Sequence, residues 1–343
     1  MRGAIIGCGF FAQNHLHAWQ DLRAEGVELV AACDIDPARA AAAAAQFGIA
    51  RHYTDVAEML ARESLDFVDI ATRMDTHRDI ALQSIGRGIR TILQKPFAPD
   101  WESCVVIARE AAAAGVKLAV HENFRYQAPM LAVRALLEAD TIGPVTWGRL
   151  AFRTGFDVYR TQPYFHHEKR LIILDLAVHV LDIARVFLGE IAHLSCETQR
   201  RNPRNAGEDT ATMLLRHETG AVSVVETTYE ARQIPDPFPQ TLLVLEGPRG
   251  SIKLHEDFRL VVTADGTASE RRVQAPPLTW SQEPWHVAQQ SVLETQRAII
   301  RAWKDGREAE TSGADNLKTF AAAEAAYAAA ASGRAVVPAK PAG

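Results

Sequence analysis

Three ionisable side chains share one face of a strongly apolar stretch. Residues 170–188 are almost wholly hydrophobic, and within them Asp175, His179 and Asp182 fall at i, i+4 and i+7. A helix aligns such positions in a single narrow polar stripe. Charge on a buried helix must face a polar cavity or a partner group. An imidazole can take or return the proton of an alcohol near neutral pH, and an aspartate one turn away can orient it. On this reading Asp175 and His179 are a catalytic pair, and Asp182 is structural. Lys95 is the third candidate. It ends the apolar run RTILQ and precedes Pro96, which puts it at the carboxyl end of a strand. Open α/β sheets hold their ligands at that edge, and an ammonium there can bind an alcohol or carbonyl oxygen.

A second set of residues suits a nucleotide. Gly7-Cys8-Gly9-Phe10-Phe11-Ala12 lies between a strand-like run and a helical pattern. Glycines there allow a tight turn and let backbone N–H groups approach a pyrophosphate at a helix N-terminus. The next apolar run ends in Asp34, whose carboxylate can accept both adenosine ribose hydroxyls and would repel a 2′-phosphate, so NAD is favoured over NADP. Arg39 nearby can either neutralise a phosphate or cover the adenine.

These groups need a scaffold, and the pattern supplies it. Apolar runs at 3–8, 28–34, 66–72, 90–94 and 116–120 alternate with helical patterns at 37–47, 76–86 and 99–114. Such alternation predicts βαβ units and a doubly wound parallel sheet, a Rossmann domain over residues 1–122. Beyond it, strand runs at 145–156, 191–198, 210–217, 220–230, 240–247, 250–255 and 259–264 are joined by tight turns. They predict a second, α+β domain over 123–343 with a large, mainly antiparallel open sheet. Helices are expected at 170–188, 284–304 and 313–332, the last able to pack back on the first domain. The tail VVPAKPAG is expected to be loosely ordered.

Composition fits two apolar cores. The chain has 343 residues, 48% hydrophobic and 23% charged, with 37 Lys+Arg against 42 Asp+Glu. A mildly acidic chain without a basic block is a poor nucleic-acid binder. Cys8, Cys33, Cys104 and Cys196 are scattered, so neither a zinc site nor a disulfide framework is expected, and no metal is. No run has the roughly 20 uncharged apolar residues of a membrane span. The opening strand-like run leaves no room for a signal peptide, and a cytoplasmic protein is expected.

Several ordered motifs together resemble the Gfo/Idh/MocA oxidoreductases over nearly the whole chain. They are GCGFFA, Asp34, ATRMDTH, Gln94-Lys95-Pro96, HENFRY and Asp175-x-x-x-His179. The resemblance implies NAD as cofactor, a sugar or polyol as substrate, and a homodimer or homotetramer formed through the C-terminal sheet. It implies further cofactor contacts from Thr72, Arg73, Asp75, His77, Gln94, Lys95, Asn123 and Gln162. Arg125, Tyr126, Arg153 and Tyr164 join Lys95, Asp175 and His179 as substrate-binding candidates, with Tyr159, His166 and His167 nearby. His166-His167 has no carboxylate cluster at ligand spacing, so a surface position is expected rather than a metal site. Two departures stand out. Gln94 replaces the family's usual glutamate, and Lys169-Arg170-Leu171-Ile172 replaces a glycine-rich lead-in to the aspartate. The expected reaction is hydride transfer from a sugar carbon, with His179 or Lys95 as base. The same fold also serves NAD-dependent glycosidases and non-catalytic nucleotide sensors; the intact Lys95, Asp175 and His179 set argues against a sensor.

Overall fold

Each apolar run of the first third becomes a strand bounded by a turn and covered by a helix. In the computed structural model, which describes residues 1–340, these elements run β1 (Arg2–Ile6), α1 (Ala12–Asp21), β2 (Glu28–Cys33), α2 (Pro37–Phe47), β3 (Arg51–Tyr53) and α3 (Val56–Arg62), then β4 (Phe67–Ile70), α4 (His77–Ile85), β5 (Arg90–Gln94), α5 (Trp101–Ala113) and β6 (Leu118–His121). The strands pair in parallel in the order β3-β2-β1-β4-β5-β6. The order reverses beside β1, so the carboxyl ends of β1 and β4 flank a crevice where such sheets bind ligands.

Local chemistry explains the helices. Asp36 caps α2 by accepting the Ala38 N–H at 2.9 Å, Pro37 occupies its first turn, and Gly48 ends it in the left-handed conformation. The alanine-rich stretch buries Ala40, Ala43, Ala44 and Phe47, so it is a packed helix face and not low-complexity filler. Asp55 and Asp100 cap α3 and α5 in the same way. Two elements were not expected from the pattern, β3 and α3. β3 is only three residues, Arg-His-Tyr, at the sheet edge, and no apolar run announces it.

The chain divides into two units. One comprises Met1–Asn123 and Val292–Leu317; the other comprises Phe124–Ser291 and the segment that begins at Lys318. The second unit contains α6 (Ala128–Glu138), β7 (Trp147–Arg153), α7 (Val178–Leu188), β8 (Ile191–Gln199), β9 (Thr210–His217), β10 (Val222–Thr228), β11 (Leu242–Gly247), β12 (Gly250–Leu254), β13 (Arg259–Ala264) and β14 (Thr267–Arg272). Its eight strands lie in the order β14-β13-β12-β11-β7-β10-β9-β8. All neighbours are antiparallel except β7 and β10. In β9 Ala211, Met213 and Leu215 are buried while Thr212, Leu214 and Arg216 are exposed, so the sheet has one covered and one open face. α7 lies against β7 and β10 and buries every residue but Val186. The last two helices, α8 (His286–Lys304) and α9 (Gly313–Ser332), each divide between the units.

Three sequence expectations change here. The apolar stretch 170–188 is not one regular helix, because a π-helical turn at Ile173–Ala177 precedes α7 and widens the coil around Asp175. α6 and β14 were not anticipated; β14 is TASERR, exposed throughout, an edge strand with no apolar face. The tail is more ordered than its composition suggests. Val336 exchanges backbone hydrogen bonds of 2.8 and 2.9 Å with Leu194, covering the edge of β8. The last three tail residues lie outside the described residues. Among the described residues, no helix is long and apolar enough to cross a membrane.

Candidate active site

The glycine loop of the first unit is shaped for a ligand. Gly7 has φ +94°, and a Cβ there would come within 2.8 Å of the Ala71 carbonyl oxygen. At Gly9, by contrast, a Cβ would meet nothing within 4 Å, so its backbone faces open space. No side chain caps α1 at Phe11, which leaves N–H groups at the positive end of that helix for an anion. Asp34, at the end of β2, is nearly buried. It accepts the Cys8 N–H at 2.7 Å on one oxygen and the Asp36 N–H at 2.9 Å on the other. The carboxylate thus holds the glycine loop in place and remains beside the crevice. Burial, with Asp34 and Cys33 adding to it, pushes the Cys8 thiol up to about 12, so this cysteine is inert.

These features fit NAD. An open backbone cradle at Gly7, Gly9, Phe10, Phe11 and Ala12 suits a pyrophosphate, and Asp34 suits ribose hydroxyls. Arg39 is exposed and pairs with Asp36 at 3.4 Å. Ile35 was passed over in the sequence, yet it is 91% exposed directly after Asp34 and offers an apolar face to an adenine. Its one signal was its place after the strand-ending aspartate. The loop after β4 carries the next group. The Thr76 hydroxyl donates to Thr72 at 2.8 Å, and Arg73 and Asp75 pair at 3.5 Å on the surface. His77 is fully buried, its ring nitrogens 3.1 and 3.2 Å from the carbonyl oxygens of Phe97 and Thr72. It packs between two loops inside the unit and can donate to one of these carbonyls, since burial lowers its imidazole below the ordinary range.

Lys95 follows β5 directly, at the carboxyl edge of the sheet. Its backbone N–H donates to the Gln94 side-chain oxygen at 2.6 Å, and the other end of that amide lies 2.9 Å from His15 Nε2. His15 Nδ1 is in turn 2.8 Å from Asp69, which also accepts the Trp19 indole N–H at 2.7 Å. All of this network is buried, and it meets Lys95 at its backbone N–H. Asn123, just after β6, is buried as well.

In the second unit the π-helical turn presents Asp175 to Tyr229, whose hydroxyl donates to the carboxylate. Burial first, and then the Asp175 charge, push the Tyr229 phenol well above its ordinary value, so it stays a donor. Sequence reading missed this partner because it lies on a different element, after β10. His179, 2% exposed, stacks on Phe124 with ring centroids 3.8 Å apart. Asp182 is fully buried and receives Arg125 in a two-pronged pair at 2.7 and 2.5 Å, plus the Thr319 hydroxyl at 2.8 Å. The guanidinium of Arg125, a substrate-binding candidate, is therefore committed to Asp182. Tyr126 is buried, Arg153 is half-buried at the end of β7, and Tyr164 is exposed and donates to Gln162 at 2.8 Å. Tyr159 stacks on His166 at 4.4 Å, and Asn205 joins both, donating to the Tyr159 oxygen at 2.7 Å. Among the described residues no cluster of three His, Cys, Asp or Glu could hold a metal ion.

Comparison with known proteins gives the family. The oxidoreductase family with an NAD-binding Rossmann fold, Gfo/Idh/MocA, matches residues 1–122, and the C-terminal domain of the same family matches residues 130–253. The chain is 45% identical to a D-apiose dehydrogenase of Rhizobium rhizogenes, over 98% of this chain and 97% of that one. It is 46% identical to a D-apiose dehydrogenase of Paraburkholderia graminis, over 98% of this chain and 89% of that one. A crystal structure of an oxidoreductase from Agrobacterium radiobacter, in complex with NAD+, L-tartaric acid and magnesium, superposes with a TM-score of 0.96. It is 45% identical and covers 98% of each chain.

Proposed function

Because the chain belongs to the Gfo/Idh/MocA family and carries its NAD-binding Rossmann domain, we propose that it is a sugar dehydrogenase that oxidises an aldose, D-apiose in the first instance, at the anomeric carbon. The reaction takes a hydride from C1 and a proton from its hydroxyl, and the C–O bond becomes a carbonyl, giving the lactone. NAD, when bound, supplies the acceptor for the hydride. Gly7, Gly9, Phe10, Phe11 and Ala12 hold its pyrophosphate, and Asp34 its ribose. Lys95 binds the reacting oxygen, where its charge stabilises the negative charge that develops as the proton leaves. His179 is the group able to take that proton while Lys95 is an ammonium, Lys95 could take it only as a free amine, and Asp175, held by Tyr229, orients His179. Polar and aromatic side chains such as Tyr159, Tyr164 and Gln162 suit a polyol, which presents hydroxyls and apolar C–H faces.

One observation carries this reading: the nucleotide cradle and the proton-transfer groups Lys95, Asp175 and His179 are all retained in one chain. Identity of 45–46% over 98% of the chain supports D-apiose as the aldose. The test is NADH formation followed by absorbance, with D-apiose, D-xylose, L-arabinose, D-glucose and myo-inositol as substrates. D-apiose is expected to react fastest. A flat panel with either NAD or NADP would overturn the proposal.

A further inference from the structure

The hydrogen bonds under Lys95 can run in only one direction. A backbone N–H is always a donor, so the Gln94 atom that meets the Lys95 N–H at 2.6 Å is the amide oxygen. The amide nitrogen, which only donates, therefore faces His15 Nε2 at 2.9 Å. That ring nitrogen must accept. The proton of the imidazole is then on Nδ1, where Asp69 receives it at 2.8 Å beside the Trp19 indole N–H. The result is a chain of bonds from Lys95 N–H to Gln94, from Gln94 to His15, and from His15 to Asp69. His15 and Asp69 have no exposed surface, and Gln94 is 7% exposed, so water does not compete for these bonds.

We infer that His15 and Asp69 are positioning residues for Lys95, and that Gln94 at the usual glutamate position makes this chain hold His15 as a neutral Nδ1–H imidazole. A protonated His15 would aim a second N–H at the amide nitrogen. Turning the amide over would relieve that contact but aim its NH2 at the Lys95 N–H, leaving two donors face to face. With a carboxylate at position 94 both conflicts vanish, and the imidazolium becomes the form that fits between two anions. The amide and the neutral ring are thus one matched choice. It leaves no fixed negative charge at residue 94, next to the ammonium-bearing residue.

Other groups around the ring agree. Asp69 accepts from the His15 ring and from the Trp19 indole N–H on one and the same oxygen. His121 of β6 lies with its ring 4.3 Å from His15, and burial holds it down at about 3, so it adds no charge. Phe11 meets the ring edge-on, and Gln296 of α8 reaches only the His15 carbonyl. Among the described residues, Asp69 is the anion hydrogen-bonded to the ring, and Gln94 sets which ring nitrogen carries the proton.

The inference rests on Lys95 as the group that binds the reacting oxygen, but the tautomer is readable without turnover. In protein labelled with 15N-histidine, with the His15 signals identified by their loss in His15→Gln, wild type should show Nδ1 protonated and Nε2 bare at neutral pH. In Gln94→Glu both nitrogens should carry protons at neutral pH. An imidazolium or an Nε2–H ring in the wild type, or no change in Gln94→Glu, would overturn the inference. Asp69→Asn and His15→Gln should lower kcat about tenfold or more while the NAD Kd stays within about twofold. Unchanged kcat in folded variants would remove the positioning role. If these variants fail to fold, the His15 signals are identified by the through-space contact of its ring N–H with the Trp19 indole N–H, both of which meet one Asp69 oxygen, and the wild-type and Gln94→Glu spectra still decide. A normal kcat in Lys95→Ala would instead refute the reading of Lys95 and leave the tautomer result intact.

Discussion

Alanine at Gly7 and at Gly9 should have opposite consequences, although the two glycines share one turn. Gly7 sits at φ +94°, and its added methyl would come 2.8 Å from the Ala71 carbonyl oxygen and 2.9 Å from the Thr72 methyl. The left-handed backbone alone costs about 1–2 kcal/mol for a residue with a Cβ. Because the clash is partly with backbone, little can move aside, and the total for Gly7→Ala is about 2–4 kcal/mol of folding stability. Gly9 has no such constraint, since its Cβ would enter open space. Gly9→Ala should leave stability within about 1 kcal/mol of wild type, on the favourable side if anything, because alanine narrows the unfolded ensemble. The methyl would instead occupy the room the pyrophosphate needs against the backbone. Losing one charge-assisted hydrogen bond there is worth about 1.5–3 kcal/mol, or roughly 10–150-fold in Kd. Urea unfolding and calorimetric titration with NAD measure the two effects separately. A Gly9→Ala protein that binds NAD within twofold of wild type would refute the placement of the pyrophosphate on this loop. Unaltered stability in Gly7→Ala would refute the strain argument.

Lys95→Ala should cut kcat about 10²–10⁴-fold with NAD affinity nearly kept, as read by initial rates and titration; near-normal turnover would count against it. Tyr229→Phe removes the hydroxyl that Asp175 accepts and should lower kcat about tenfold, with little change in the NAD Kd. If the variant keeps wild-type kcat, Tyr229 does not position Asp175. Burial would raise the Glu190 carboxyl, but hydrogen bonds and charge from Arg185 and Lys318 bring it down to about 2. A depressed folded-state value stabilises the fold above the ordinary carboxylate range, and that stability is lost as pH falls toward 2. Because the side chain is 37% exposed, solvent screening reduces the contribution to about 1–2 kcal/mol. Glu190→Gln should therefore be destabilised at neutral pH and match wild type near pH 2; an equal deficit at both pH values contradicts this. Sedimentation should give a mass of two or four chains if the open sheet face, with Leu214 exposed on β9, joins protomers, and a single-chain mass excludes it.

What could be read from the sequence depended on whether the governing interaction was local. The strands and helices of the first unit follow from apolar period and capping residues, as at Asp36-Pro37, and the glycine loop is legible because turn, helix start and strand-ending Asp34 lie within one βαβ unit. β3 and β14 were invisible because one is only three residues long and the other is exposed throughout, so neither has the apolar face that periodicity detects. The stretch 170–188 was read correctly as buried and as carrying Asp175 and His179. Its π-helical turn was not foreseen, since a local widening of the helix depends on partners elsewhere. Those partners are the recurring gap. Tyr229 lies 54 positions from Asp175, Asp69 lies 54 from His15, and Gln94 lies 79 from His15. Residue type marked the groups able to react, but the neighbours that orient them come from strands and helices the fold brings together. The Gln94 substitution shows the difference most sharply. Taken alone it is a lost charge next to Lys95; set against His15 and Asp69 it fixes a proton on one nitrogen of a buried ring. A departure from a family motif therefore gains meaning only with the residues packed behind it, and the packing here makes Gln94 part of the lysine's support.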